Sequence, residues 1–311
     1  MIFKTLRQNV IINSVGRKII TTTSKFSQRV SKFLIQRWPV TGVLDCSFNG
    51  VPFRMYNTGD DGLTTYFYYD IPYHETSDLK LFTALAAESK IIVDIGANTG
   101  LYSFLSSIAN RNSVIHAIEP YSVNAVRLQK NLDLNNCKNV SVNRTAMGDF
   151  TGEIELSVPG DGTVTDVSSV NVDFSKRFYP TVKWVKQSVP ITTLDAFVAE
   201  KKIKPDLIKC DVESHEMEVF KGASNVLKTH RPLIIFECFL DEQRKEFFNN
   251  ILRDYNYQAC LILQEGLVHL DSGFVDNPDG LNYLLTPVKP SVNFLSFKKM
   301  DVVIKELFAG T

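Results

Sequence analysis

Residues 90–103 read KIIVDIGANTGLYS: a short apolar run, an acid at Asp94, then glycines at 96 and 100 enclosing Ala97, Asn98 and Thr99. A continuous apolar run of this length fits a strand buried on both faces, as in a parallel sheet covered by helices. The same unit recurs downstream. Strand candidates at 113–120 (SVIHAIEP), 139–148 (NVSVNRTAMG), 206–213 (DLIKCDVE) and 232–239 (PLIIFECF) alternate with helical periodicity at 100–108, 122–135, 215–228 and 242–254. Alternation of this kind predicts a doubly wound, Rossmann-like α/β sheet, mostly parallel. YQACLILQEGLVHLDSG and GLNYLLTP supply the antiparallel pair that ends a seven-stranded sheet, and SFKKMDVVIKELFAG a closing helix.

Upstream, GVLDCSFNGVPFRMY (42–56) alternates around Asn49-Gly50, a dipeptide suited to a two-residue hairpin turn. An aromatic segment with Tyr66, Phe67, Tyr68, Tyr69 and Tyr73 follows, then a helical stretch over 76–89. The expected organisation is a basic amphipathic extension (1–40), a hairpin, aromatic segment and helix packed on the core (41–89), a ligand-binding domain (90–290) with a lid-like insertion at 156–190, and a tail helix (291–311).

The 34 basic and 34 acidic residues balance, but not evenly along the chain. Residues 1–40 hold eight Lys or Arg and no acid, so the remainder has 26 basic against 34 acidic residues, or −8. A net acidic body without a basic stripe argues against nucleic-acid binding. The arm admits three readings: a helix packed on its own domain, a peripheral contact with an anionic membrane surface, or a cleaved presequence. No uninterrupted apolar segment reaches the roughly 18 residues of a membrane span. Five scattered cysteines without a CxxC pair indicate reduced packing residues, and a cytoplasmic location follows.

In a doubly wound sheet, ligands bind beyond the carboxyl ends of the strands. The glycine spacing at 96 and 100 is not the G-x-G-x-x-G of a dinucleotide loop, whose middle glycine admits a pyrophosphate. Asp94 beside the turn disfavours a phosphate and favours a cation. Glu119 ends the next strand, 23 residues after Gly96 (119 − 96), where a carboxylate can accept from both hydroxyls of a ribose. S-adenosylmethionine, with its ribose diol, sulfonium and ammonium, has the required chemistry.

VDIGANTGLYS, AIEP, TAMGDFTGEIEL, ITTLDAF, DLIKCDVESHEMEVFKGA and RPLIIFE occur in an order and spacing that resemble FkbM-type methyltransferases, a class I S-adenosylmethionine-dependent family, over about residues 64–287. The resemblance implies that Asp94, Gly96, Asn98 and Gly100 line the methionine end of the cofactor, Glu119 holds the ribose and Ala146 flanks the adenine. It also implies an acid near the cofactor at Glu75, and a hydroxyl on a small molecule or glycan as methyl acceptor. Where the family pattern reads D-x-E-G, this chain has Asp211, Val212, Glu213, Ser214 and His215.

Read from the residues alone, Asp211 and Glu213 stand two apart in an extended segment and therefore share a side. With His215 they are the candidate catalytic groups, and Glu237 is next in line. No third oxygen ligand accompanies them, so no metal is expected. A nicotinamide-dependent oxidoreductase, and a membrane-associated domain that keeps the pocket without turnover, are the competing readings.

Overall fold

The computed structural model describes residues 40–69, 76–163, 168–170, 180–275 and 281–308, with isolated positions among 15–22 and 173–177. Most of the basic arm, and Glu75, fall outside the described residues. Among the described residues, no helix is long and apolar enough to cross a membrane.

Strands β1 (Gly42–Phe48) and β2 (Val51–Asn57) pair in antiparallel register about Asn49 and Gly50. Both turn residues have positive φ, 48° and 78°, as this hairpin turn demands. The aromatic segment then forms helix α1 (Gly62–Tyr69), which buries Phe67, Tyr68 and Tyr69. Helix α2 (Thr76–Glu88) leads into β3 (Ile91–Ile95), α3 (Leu101–Ala109), β4 (Val114–Ile118), α4 (Ser122–Leu134) and β5 (Val140–Asn143). There follow β6 (Ala146–Met147), β7 (Gly152–Pro159), β8 (Trp184–Thr192), α5 (Leu194–Lys201), β9 (Leu207–Cys210) and α6 (Glu216–Lys221). A π-helical turn (Val226–His230), β10 (Leu233–Glu237), α7 (Glu242–Tyr255), β11 (Gln258–Leu263), β12 (Gly266–His269), β13 (Asn282–Thr286), β14 (Phe294–Ser296) and α8 (Met300–Phe308) complete the order.

The central sheet runs β14-β12-β11-β13-β10-β9-β3-β4-β5. The five strands from β10 to β5 are parallel, and β13 is antiparallel between β10 and β11. The sheet therefore has nine strands, not the seven expected. The stretch 257–273 splits at Gln264-Glu265 into the hairpin β11–β12, and the three-residue β14, too short to show alternation in the sequence, pairs with β12. Adjacent residues of one strand serve opposite faces. Ile92, Ile115, Leu207 and Ile235 pack beneath α2 and α8, whereas Val93, Ile118, Ile208 and Phe236 pack with α6 and α7.

Two further expectations need correction. The segment 139–148 is not one strand: the chain breaks after Asn143, and β6 leaves the main sheet to pair with β8 in a separate sheet of order β6-β8-β7. The ends of the insertion are thus a regular hairpin, in register from Gly152↔Ile191 to Pro159↔Trp184. The helix read over 215–228 is interrupted: α6 ends at Lys221, Gly222 and Ala223 form a turn, and helical backbone resumes at Ser224 and runs into the π-helical turn; at the interruption a Cβ on Gly222 would sit 2.0 Å from the carbonyl oxygen of Gly148. Helix α5, not anticipated, is capped by the Thr193 side chain, which accepts from the Ala196 N–H at 3.0 Å. All five cysteines are free and buried.

Candidate active site

The carboxyl ends of β3, β4, β9 and β10 open into a cleft of about 1190 Å³. Asp94, Gly96, Asn98, Glu119, Ala146, Asp211, Glu213, His215 and Glu237 all line it. Gly100 does not. The hairpin β7–β8 forms one wall, where Leu156, Val158 and Ile191 cluster with Tyr121 and Ala146.

The loop after β3 is built on left-handed backbone at Gly96 (φ 80°), Asn98 (φ 49°) and Gly100 (φ 94°). The N–H groups of Gly96 and Ala97 both donate to the Ile118 carbonyl, at 3.0 and 2.9 Å. A Cβ on residue 96 would lie 1.7 Å from the Asp211 carbonyl oxygen. Gly96 thus allows two strand exits to touch, whereas Gly100 lets α3 start against Leu128 of α4, whose Cγ would lie 2.9 Å from a Cβ added there. Asn98 Oδ1 is buried and has no hydrogen-bond partner.

The carboxylates around this loop are withheld from water. Glu119 is 4% exposed and accepts from the backbone N–H of Asn98 at 2.9 Å and of Tyr121 at 2.8 Å. Burial nevertheless pushes its pKa up to about 7. Asp94 accepts from Ser103 Oγ at 2.6 Å, and burial raises it to about 6. Asp61, which the sequence did not single out, joins α1 to the loop: it accepts from the Thr64 N–H at 2.9 Å and from Thr99 Oγ1 at 3.2 Å.

Lys209 is the other group missed. It is 1% exposed, its Nζ donates to Asp211 Oδ2 at 3.1 Å, and it stands 5.1 Å from the Tyr102 ring centroid. Burial alone would lower its pKa, but the carboxylates of Asp211, Asp78 and Glu237 hold it above the ordinary value. The signal was present in LIKCD, where a lysine inside an apolar strand requires anionic partners.

After Cys210 the chain does not stay extended, so the simple alternation argument for Asp211 and Glu213 fails. Glu213 (φ 54°) and Ser214 (φ 75°) are both left-handed. Glu216 Oε1 holds this turn by accepting from the N–H groups of Val212 (3.1 Å) and Ser214 (3.2 Å), and Ser169 Oγ donates to the Glu213 carbonyl at 2.6 Å. His215 precedes α6, with Nδ1 3.5 Å from Glu218 Oε2. Its Nε2 is buried without a partner, against Gly148, where an added Cβ would be 3.1 Å away. Burial lowers the His215 pKa, which favours the neutral ring.

Ser214 occupies the position where the family pattern has glycine, in a conformation that disfavours a side chain. Ser214→Gly is therefore expected to stabilise the fold by about 1 kcal/mol, seen as a rise in thermal midpoint; an unchanged or lower midpoint would mean that the serine hydroxyl compensates.

The profile described as "Methyltransferase FkbM domain" matches residues 94–259, 166 of the 311 residues. The chain belongs to the FkbM methyltransferase family. It is 26% identical over 148 residues to "Methyltransferase 1" of Beauveria bassiana, covering 43% of this chain and 59% of that one. It is 25% identical over 162 residues to "Hexuronic acid methyltransferase AglP" of Haloferax volcanii, covering 52% of this chain and 61% of that one. The chain thus spans about three fifths of these curated relatives. The solved methyltransferase FkbM of Methylobacillus flagellatus KT aligns at 19% identity and TM-score 0.40, over 64% of this chain and 43% of that one.

Proposed function

We propose that the protein transfers a methyl group from S-adenosylmethionine to a hydroxyl of a small molecule or glycan. The observation that carries this reading is the chemistry of the loop and its surroundings. Buried acceptors converge on it, Asn98 Oδ1 still lacks a donor, and the adjoining carboxyls of Asp94 and Glu119 favour a cation that carries hydroxyl groups. Each Glu119 oxygen accepts one backbone N–H, which leaves capacity for the ribose hydroxyls. Asp94 and Asn98 would face the methionine end, and Ala146, with Ile118 and Leu156 lining the same cleft, would flank the adenine.

When bound, S-adenosylmethionine supplies an electrophilic methyl on a positively charged sulfur. The chain's part is to align a hydroxyl in line with it, a device worth up to roughly 7–11 kcal/mol in principle. Asp211 accepts the hydroxyl proton: its side chain lines the cleft and is 32% exposed, and Lys209 occupies only Oδ2. His215 and Glu213 shape the turn beside it. Incubation with methyl-labelled S-adenosylmethionine and hydroxyl acceptors tests the reading; label recovered as an acid-stable ether supports it, and label found only on nitrogen or nowhere opposes it.

The buried carboxyls also predict a pH dependence. Asp94 and Glu119 keep their protons to about 6 and about 7, and a bound cation favours their ionised forms. S-adenosylmethionine binding should therefore release protons and tighten as pH rises through this window, then level off. For the ligand-free fold the sign reverses: protons held by the folded but not the unfolded chain stabilise it at low pH, and that advantage is lost as pH rises through the same values. Calorimetry in buffers of different ionisation enthalpy measures the release, and an affinity flat across the window would contradict it.

A further inference from the structure

We infer that the part of the cleft bounded by Asp78, Tyr102, Lys209, Glu237 and Asn282 is the acceptor subsite, and that it takes a neutral, hydroxyl-rich molecule and excludes acidic sugars. The inference rests on the methyltransferase reading above and names its substrate class.

Asp78 stands in the first turn of α2, 3% exposed, and lines the cleft. Its Oδ2 accepts from the Tyr102 hydroxyl, while Oδ1 is buried and unpartnered. Across the cleft wall, Asn282 at the start of β13 also presents a buried, unpartnered Oδ1. A buried acceptor without a donor is destabilising until a ligand supplies one. Both positions call for a donor, which the hydroxyls of a neutral sugar supply and a carboxylate does not.

The electrostatics point the same way. Among the described residues, eight Asp or Glu side chains line the cleft and Lys209 is its only Lys or Arg. That ammonium is already bonded to Asp211 and faces Asp78 and Glu237, so a ligand carboxylate would meet these carboxyls rather than an uncommitted cation. Lys176, Arg177 and Lys183 of the insertion are exposed and do not line the cleft.

The test uses the full chain. S-adenosylmethionine binding is first measured by calorimetry, and methylation rates are then compared for methyl glucoside, methyl galactoside, methyl mannoside and myo-inositol against methyl glucuronide and methyl galacturonide. At least one neutral compound should be methylated with kcat/KM about tenfold or more above that of either uronate. Asp78→Asn, and Asn282→Leu in case the first variant folds poorly, should raise the acceptor KM about tenfold while S-adenosylmethionine affinity stays within about twofold. Glu237→Gln should narrow the discrimination against uronates. Preference for uronates, methylation of none of the neutral compounds, or variants that weaken cofactor rather than acceptor would each overturn the inference. Failure of the unmodified protein to bind S-adenosylmethionine would remove the underlying function instead, and is read separately in the first step.

Discussion

Gly96→Ala is expected to lower stability by about 3 kcal/mol or more and to abolish cofactor binding. Two effects act together. The residue sits at φ 80°, and its Cβ would lie 1.7 Å from a backbone oxygen, that of Asp211, which cannot swing aside as a side chain could. Relief requires β3 and β9 to separate at their carboxyl ends, which displaces Asp94, Asn98 and Asp211 at once. Gly50→Ala is the matched control, since it has nearly the same φ, 78°, and nothing lies within 4 Å of its Cβ position. Denaturant unfolding of both variants measures the difference. Equal, small losses would show that the loop is more yielding than its packing implies.

Asp211→Asn should reduce kcat by about 10²- to 10⁴-fold if this carboxylate receives the hydroxyl proton. The fold should survive, because an amide oxygen can still accept from Lys209 Nζ and the main-chain N–H of residue 211 still donates to Ile95. His215→Asn should be milder, up to about tenfold, because Nε2 is packed against Gly148 rather than held by a partner in the cleft. Single-turnover rates with saturating S-adenosylmethionine separate these effects from binding. A larger loss from the histidine variant would transfer the proton-accepting role to His215.

The sheet was legible because its strands are short apolar runs separated by amphipathic helices; Ile91–Ile95 and Leu233–Glu237 fall within the segments read for them. Boundaries failed where tertiary contacts, not local pattern, decide. Nothing in NVSVNRTAMG marks the departure of Ala146–Met147 to pair with β8, since that pairing depends on a partner some 45 residues away (191 − 146). The extra edge strand β14 is equally non-local. At the site, residues that follow strands were readable because α/β topology directs ligands there. Asp61 and Asp78 were not, because they precede the first central strand and reach the cleft only through the packing of α1 and α2. The left-handed turn at Glu213 and Ser214 was hidden for a different reason: neither residue type announces positive φ, whereas the glycine of the family pattern would have.

Glu119 and the loop beside it must form a pocket for a cationic nucleoside if the protein is to work as proposed. Calorimetric titration of the purified protein with S-adenosylmethionine and with NADH, each repeated on Glu119→Ala and Glu119→Gln, tests this most directly. The geometry predicts binding of S-adenosylmethionine alone, weakened at least about tenfold in both variants. Binding of NADH instead, or S-adenosylmethionine affinity indifferent to Glu119, would contradict it.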